Sequence, residues 1–319
     1  MMQVRLAPLC GVTDFVFREL CAEQGCQQGY TEMISAMGYL CAPHQTAVQD
    51  LLIRGKREKR LLIQLFGRDP DTVAEAARRI EALERFDGID LNMGCPAHKI
   101  APSGEGCGLM RTPDIAEEMM RKTVKAVSLP VSVKMRLGWD GEHVNAVEMA
   151  RRAEASGISE ITVHGRTRQQ QYSGRADWDE IRRVVESVHI PVFGNGDIFS
   201  GEQAVQRARE SGAAGVMIGR GAMGNPWIFR EAADAAAGKK IKSVSLQERF
   251  ELIHIHYERM LAWKPEHIAL REMRKHAAWY LHGLRGASRA RAEIFRAEKP
   301  EQVREILERI RMENMKMEA

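Results

Sequence analysis

Eight short β-branched runs that alternate with amphipathic stretches, followed by a C-terminal segment (245–319) with helical patterning alone, predict an α/β fold: a (β/α)8 TIM barrel followed by a small all-helical C-terminal domain. The runs are VRLAPL (4–9), GYTEM (29–33), RLLIQLF (60–66), GIDLN (88–92), PVSVKM (130–135), EITVHG (160–165), PVFGNG (191–196) and GVMIGR (215–220). Between most of them lie helical patterns such as PDTVAEAARRIEAL, PDIAEEMMRKTVKAV and HVNAVEMARRAEAS. Eight strands spread over roughly 220 residues suit a closed parallel barrel better than an open sheet. Residues 34–59 do not divide into helix and loop by pattern. Past AAAGKKIKS (235–243) the strands stop, which places a boundary in GKKIKS and divides the chain into 1–240 and 241–319.

The chain has 319 residues, 44% hydrophobic and 28% charged, the balance of a soluble globular protein. No apolar run approaches the roughly 20 residues needed to span a bilayer, so no membrane association is expected. The first residues enter a strand pattern at once, leaving no room for a signal peptide. Six cysteines lack the paired spacing of a zinc site, so no metal is expected and the thiols read as reduced, in a cytoplasmic protein. A net charge of +4 permits an acidic partner without demanding one.

In such a barrel the reactive groups stand at the C-terminal ends of the strands and on the loops that follow. Those ends read APLCG, TEM, IQLFG, LNMGCP, VKMRLG, VHGRTR, FGNGD and IGRG, a set of polar groups that packing alone does not ask for. GNGD (194–197) and IGRG (218–221) follow strands seven and eight, where barrels commonly bind phosphate. Gly196 and Gly219 let backbone N–H groups approach an anion, and Arg220 adds a fork of donors; the alternative is that the glycines only make tight turns. Lys134 lies near the end of PVSVKM. An interior lysine is costly unless it meets a negative partner or performs chemistry. It either forms a Schiff base or donates to the electron-rich edge of a flavin, unless it merely reaches solvent at the strand end. Gln64, Asn92 and His164 also sit at strand ends and suit hydrogen bonds to a planar polar ring.

Cys95 falls in DLNMGCPAHKIAPSGEGCGLM (90–110), just past strand four, where Gly94 allows an unusual turn and Pro96 stiffens the exit. An ordinary thiol, with a pKa of about 8.5, is mostly protonated at neutral pH and can give up a proton without tuning. Use as a nucleophile would favour a nearby base or cation, for which His98 is a candidate. A buried apolar filler is the plain alternative. Cys107 in the same loop is the weaker candidate, and Cys10, at the end of strand one, reads as a wall residue.

The segments APLCGVTDFVFREL, IQLFG, LNMGCP, VKMRLGW, VHGRTR, GNGDI and MIGRGAMGNPWIF, with MRKHAAWYLHGLRG (273–286) after them, resemble the successive motifs of the tRNA-dihydrouridine synthases, most like the bacterial DusB-type branch. The resemblance implies an FMN-binding catalytic barrel (1–240), a tRNA-binding helical domain (241–319), NADPH as reductant, and a uridine in the D-loop region of a tRNA as substrate. No obligate protein partner is implied. Carried over motif by motif, Pro8, Leu9 and Cys10 line the isoalloxazine, Gln64 and Lys134 bond its pyrimidine edge, and His164 lies beside it. Asn195, Gly196, Asp197, Gly219 and Arg220 take the ribityl and phosphate end. Cys95 matches the family's proton donor, giving a proton to C5 of the uracil while hydride passes from FMN to C6. The first motif is usually APM-A/E-G, so the thiol of Cys10 is a departure.

A target base must leave the tRNA stack to reach a barrel mouth. Asn92, Arg166 and Arg168 are expected to meet the base or its phosphate. Residues 271–296 carry Arg271, Arg274, Lys275, Arg285, Arg289, Arg291 and Arg296 against Glu272 and Glu293, which reads as a basic surface for tRNA with Trp279 and Tyr280 as stacking platforms. A solvated helix face with a packed tryptophan is the alternative, and RGKREKR (54–60) reads as a solvent-facing loop. Three rival readings remain open at this point: a flavin barrel acting on a free pyrimidine, an RNA-binding protein without catalysis, and a Schiff-base lyase using Lys134.

Overall fold

A computed structural model describes residues 2–318. Strands β1 (Gln3–Leu6), β2 (Gly29–Tyr30), β3 (Ile34–Ser35), β4 (Leu61–Phe66), β5 (Gly88–Met93), β6 (Val131–Arg136), β7 (Glu160–His164), β8 (Val192–Asn195) and β9 (Gly215–Ile218) form one parallel sheet. Its order is β1-β9-β8-β7-β6-β5-β4-β2, and a parallel bridge between Arg5 and Gln28 closes the ring, giving the expected eight-position barrel. The second position is split, because β2 and β3 both pair with β4 and the ladder breaks between them. The pattern GYTEM predicts one unbroken strand through Met33. In the break, Thr31 Oγ1 accepts the Gln64 N–H at 3.0 Å in place of a backbone carbonyl, and the Glu32 carboxylate turns to the Gly11 N–H.

Helices α1 (Phe15–Glu23), α2 (Ala36–Cys41), α3 (Thr46–Leu51), α4 (Pro70–Glu81), α5 (Pro113–Ala126), α6 (Ala146–Ala155), α7 (Trp178–Ser187), α8 (Gly201–Ser211) and α9 (Ile228–Ala236) alternate with the strands. Several start where a short oxygen-bearing side chain takes an orphan N–H: Asp14 from Phe17, Asp69 from Thr72, Asp177 from Glu180, Ser200 from Gln203. Glu58 within RGKREKR is buried and ion-pairs with Arg18 at 2.7 Å, so that loop is pinned at its centre and only partly faces solvent.

The strands obey a strict period of two. Ile89, Leu91, Met93, Val131, Val133, Met135, Ile161 and Val163 face the helices in the main core. Their alternates, Asp90, Asn92, Ser132, Lys134, Arg136, Glu160, Thr162 and His164, therefore point into the barrel. At its N-terminal end the interior holds Arg5, which pairs with Glu160 at 2.7 and 2.9 Å and stacks over Phe193. At the C-terminal end the interior opens.

The last barrel helix ends at Ala236 and the next begins at Leu246. Helices α10 (Leu246–Trp263), α11 (Glu266–Tyr280), α12 (Ala287–Arg296) and α13 (Pro300–Glu318) share a second core that includes Tyr257, Met260, Met273, Tyr280 and Ile310. Helix α1 serves both units, giving Phe17 and Cys21 to the barrel core and Val16 and Leu20 to the helical one. No helix among the described residues is long and apolar enough to cross a membrane.

Candidate functional site

The open end of the barrel holds a cavity of about 520 Å³, within the roughly 300–1,000 Å³ usual for cofactor and small-molecule sites. Its walls bring together Pro8, Leu9, Cys10, Gln64, Asn92, Cys95, Lys134, His164, Asn195, Gly196, Asp197, Gly219 and Arg220. The arginines and lysine expected at a nucleic acid (Arg166, Arg168, Arg271, Arg274, Lys275 and Arg285) are not among the residues lining it.

At the base of the cavity an amide relay runs from β5 to the Cys95 loop. Asp90, fully buried, accepts from Ser132 Oγ and Gln64 Nε2, each at 2.6 Å. An ionised carboxylate only accepts, so it fixes Gln64 with its oxygen turned away. That oxygen accepts from Asn92 Nδ2 at 2.8 Å, which in turn leaves Asn92 Oδ1 to accept the N–H groups of Gly94 (3.1 Å) and Cys95 (2.9 Å). The polar atoms of Asn92, expected to meet substrate, are thus largely spent on holding the loop. Burial pushes the Asp90 carboxyl up to about 6, against the Gln64 and Ser132 hydrogen bonds and Lys134, so it is mostly ionised at pH 7.

Lys134 stands beside this relay and donates to Asn195 Oδ1 at 3.3 Å, using one of three N–H donors. Burial and the nearby Arg136 bring its pKa down to about 8, with Asp90 working the other way. His164 is buried, and burial together with Arg136, Lys134, Arg166 and Arg220 holds it far below the usual histidine range, so its imidazole is neutral at pH 7.

Cys95 is half-buried at the cavity wall. Burial raises its thiol above the ordinary value, against the Ala97 N–H, Arg136 and Lys134, so it is a thiol and not a thiolate at neutral pH. Arg136 fixes the neighbouring backbone through Gly94 O at 2.9 Å, Thr167 O at 2.8 Å and Gln171 O at 2.9 Å. Cys107 is fully buried, its thiol pushed up to about 12 mainly by burial, and it serves as core. Cys10 is exposed on the cavity rim.

At the opposite wall Asp197 ties two arginines together, accepting from Arg166 at 2.6 Å and Arg220 at 2.9 Å, and from the Ala176 N–H at 2.8 Å. Burial opposes its charge, but these donors outweigh it and hold the carboxyl below its ordinary value. Gly196 is needed here: its φ is +128°, and a Cβ would come within 2.6 Å of Ala176 Cβ and 3.0 Å of the His164 ring. Arg166 is corrected by the structure: at 1% exposure it also caps the carbonyls of Ser173 and Gly174 and cannot reach a substrate. Four residues that the motifs do not single out also belong to the site: Asp90, Arg136, Tyr172 and Phe199. Asp90 and Arg136 share the strand parity of Asn92 and Lys134, a signal that was present. Tyr172 and Phe199 flank the Arg220 guanidinium at 4.7 and 5.8 Å and stand half-exposed at the mouth; no pattern in their loops announces them.

The helical domain differs from expectation in three places. Tyr280 is buried and its hydroxyl meets His256 Nδ1 at 3.1 Å, so it is no stacking platform. Lys275 donates to Gly11 O in the turn after β1, and Arg274 reaches Ala297 O at 3.4 Å; both are engaged within the chain. Arg289 is shared between Glu293 and Glu313, which thins the basic surface. Arg271 and Arg285 are exposed, and Arg168 lies over the Trp139 ring at 4.6 Å.

Comparison with known proteins adds three findings. The profile of the family described as "Dihydrouridine synthase (Dus)" matches residues 5–316. A probable tRNA-dihydrouridine synthase of Rhizobium leguminosarum bv. phaseoli is 44% identical over 279 residues, covering 88% of this chain and 85% of its own, and tRNA-dihydrouridine synthase B of Pseudomonas aeruginosa is 38% identical over 293 residues, covering 91% and 87%. Among solved structures, histamine dehydrogenase from Rhizobium sp. 4-9 aligns with a TM-score of 0.56 at 14% identity over 74% of this chain and 46% of that one, and TcOYE with pHBA with 0.53 at 13% over 77% and 91%. These last likenesses concern the fold alone and agree with the barrel.

Proposed function

Because this chain belongs to the dihydrouridine synthase family, we propose that it reduces the C5=C6 bond of a uridine in the D-loop region of tRNA, in the cytoplasm, with FMN in the barrel cavity and NADPH as reductant. The residues present fit that cofactor. Lys134 offers an ammonium with unspent donors to an electron-rich ring edge, and Gly196, Gly219 and Arg220 leave an electropositive wall for a phosphate tail. When bound and reduced, FMN supplies a hydride to uracil C6.

The observation that carries the reading is Cys95: a thiol kept protonated by burial and opening on the same cavity as Lys134. Its S–H gives the proton that C5 requires, and the sulfur keeps the bonding pair as thiolate. Arg136 and Lys134, both of which favour the charged form of this sulfur, stabilise it until water returns the proton. The relay through Asn92 holds the backbone of Cys95 so that the sulfur does not swing away. On the helical domain, the exposed Arg271 and Arg296 are among the cations that would meet tRNA phosphates.

The test uses purified protein, NADPH, unmodified tRNA and free uracil. The expected result is a yellow, FMN-containing protein that forms dihydrouridine in tRNA. Cys95→Ala should keep FMN and tRNA binding but lose about 10²–10⁴ in rate. Turnover of free uracil at comparable efficiency, or full activity in Cys95→Ala, would overturn the reading.

A further inference from the structure

Three consecutive loops on the open face of the barrel build a cationic patch outside the cavity. The loop after β5, which carries Cys95, ends at Arg111; the loop after β6 carries Trp139; the loop after β7 carries Arg168. The guanidinium carbons of Arg111 and Arg168 stand 4.8 and 4.6 Å from the centre of the Trp139 ring. Two backbone bonds lock the last two loops together, Arg168 N to Gly138 O and Gln169 N to Trp139 O, each at 2.9 Å. Arg111 is exposed, and among the described residues no carboxylate bridges Arg111 or Arg168. The acid that lines the same hollow, Asp140, is engaged by His143 Nδ1 at 2.7 Å and by the N–H groups of Glu142 and His143.

Two unneutralised guanidiniums gathered around one indole repel each other, and the ring's quadrupole offsets that only in part. The arrangement is favourable when an anion lies across both. Guanidiniums held over a ring by cation–π attraction keep N–H groups free for phosphate oxygens. The position matters as much as the charge. In the eight-position ring β6 lies across from β1, and the helical domain reaches the mouth at the turn after β1 through Lys275 and Gly11. The Arg111–Trp139–Arg168 patch is therefore on the far rim from the helical domain, with the cavity between them. The loop that carries Arg168 also gives Gln171 and Tyr172 to the cavity wall. A long polyanion whose middle enters the cavity would touch both rims.

We propose that Arg111 and Arg168, stacked on Trp139, form a second phosphate-binding surface for the RNA substrate, gripping the backbone beside the target nucleotide on the rim opposite the helical domain. This rests on the tRNA reading above and extends it from the helical domain to the barrel.

The test is Arg111→Gln in the full-length holoenzyme, with Arg111→Lys beside it, measured on an unmodified tRNA transcript and NADPH. Arg111 is a surface side chain, and an unchanged melting temperature and flavin content would show that the fold is intact. Arg111→Gln should weaken tRNA binding by about three- to tenfold and flatten the slope of log K against log salt by about 0.7–0.9. The KM for NADPH should not move. Arg111→Lys should restore the slope but only part of the affinity, because the stacked fork is lost. Unchanged tRNA affinity and slope in Arg111→Gln would overturn the proposal. So would a raised KM for NADPH with tRNA binding intact, which would assign the hollow to the phosphates of the reductant. If the wild type itself neither binds nor reduces tRNA, the functional reading fails first; if it does both and Arg111→Gln matches it, this proposal fails alone.

Discussion

Lys134 gives the sharpest test of the cofactor site, because its burial makes its charge titrate where the experiment can reach. A lysine in water keeps its proton to a pKa of about 10.4; here burial and then Arg136 lower it to about 8. Below that value the side chain is an ammonium that can donate to an electron-rich ring edge. Above it the amine still donates, but the charge is gone. If FMN requires the charged form, its dissociation constant in the flavin-stripped protein varies as one plus the ratio of neutral to charged lysine. Between pH 7 and pH 9.5 that factor rises about 30-fold, or ~2 kcal/mol. Quenching of flavin fluorescence on titration, repeated across that range, reads it directly. Lys134→Arg keeps its charge throughout and should give a flat profile, while Lys134→Met should bind weakly at every pH. A flat wild-type profile would refute the assignment, and so would the same slope in Lys134→Arg, since the proton would then belong to another group.

Three further outcomes follow from side chains the cavity depends on. Arg166→Gln takes the buried guanidinium from Asp197, which keeps Arg220, and should cost about 1–3 kcal/mol of stability, read as a lower melting temperature; a variant that melts normally but binds tRNA poorly would restore the sequence-based expectation. Asp90→Asn removes the one acceptor that cannot turn round, so the Gln64–Asn92 relay loses its fixed polarity, and single-turnover reduction should slow by about 10–100-fold with tRNA affinity unchanged; an unaltered rate would show that the relay does not matter. His256 and His276 are fully buried between α1 and the helical domain, and burial holds His256 at about 3 and His276 well below the ordinary value. Below about pH 6.5 the unfolded chain takes up protons that the folded one refuses, so each histidine removes ~1.4 kcal/mol of stability per pH unit as the pH falls. Asp14 and Asp90, both raised to about 6 by burial, act in the opposite sense, so the quantity to measure is the difference between wild type and His276→Phe in urea at pH 7, 6 and 5; parallel curves would sink it.

The barrel and most of its site were legible because two simple periodicities fix them. A strand of a barrel puts alternate residues inside, and the reactive ones stand at its C-terminal end; hence Gln64, Asn92, Lys134, His164 and Asn195 converge. Asp90 and Arg136 obey the same parity, so the strand pattern points to them as much as to Asn92 and Lys134. Tyr280 is a similar case. Met273, His276, Ala277 and Tyr280 are spaced as one helix face, and all four are buried; Trp279 and Tyr280 are adjacent in sequence, but helical geometry turns them to different faces.

Other features have no local signature at all. Arg166 looks like a loop arginine free to meet a phosphate until Asp197, 31 residues away, comes into contact with it. The break in the second barrel strand depends on a side chain, Thr31, replacing a carbonyl in the ladder. The tie between Lys275 and Gly11 spans 264 positions. For Arg166 and Lys275 a group that sequence assigns to the substrate is consumed by a distant part of the chain. The pattern is physical. A charged or polar side chain near a cavity must be neutralised or hydrogen-bonded whether or not a ligand is there, so internal partners claim most of the candidates. Those left unclaimed are the better guide to what binds. At this mouth they are the thiol of Cys95, the spare donors of Lys134, and the pair Arg111 and Arg168 over Trp139. They run from the cavity to its far rim.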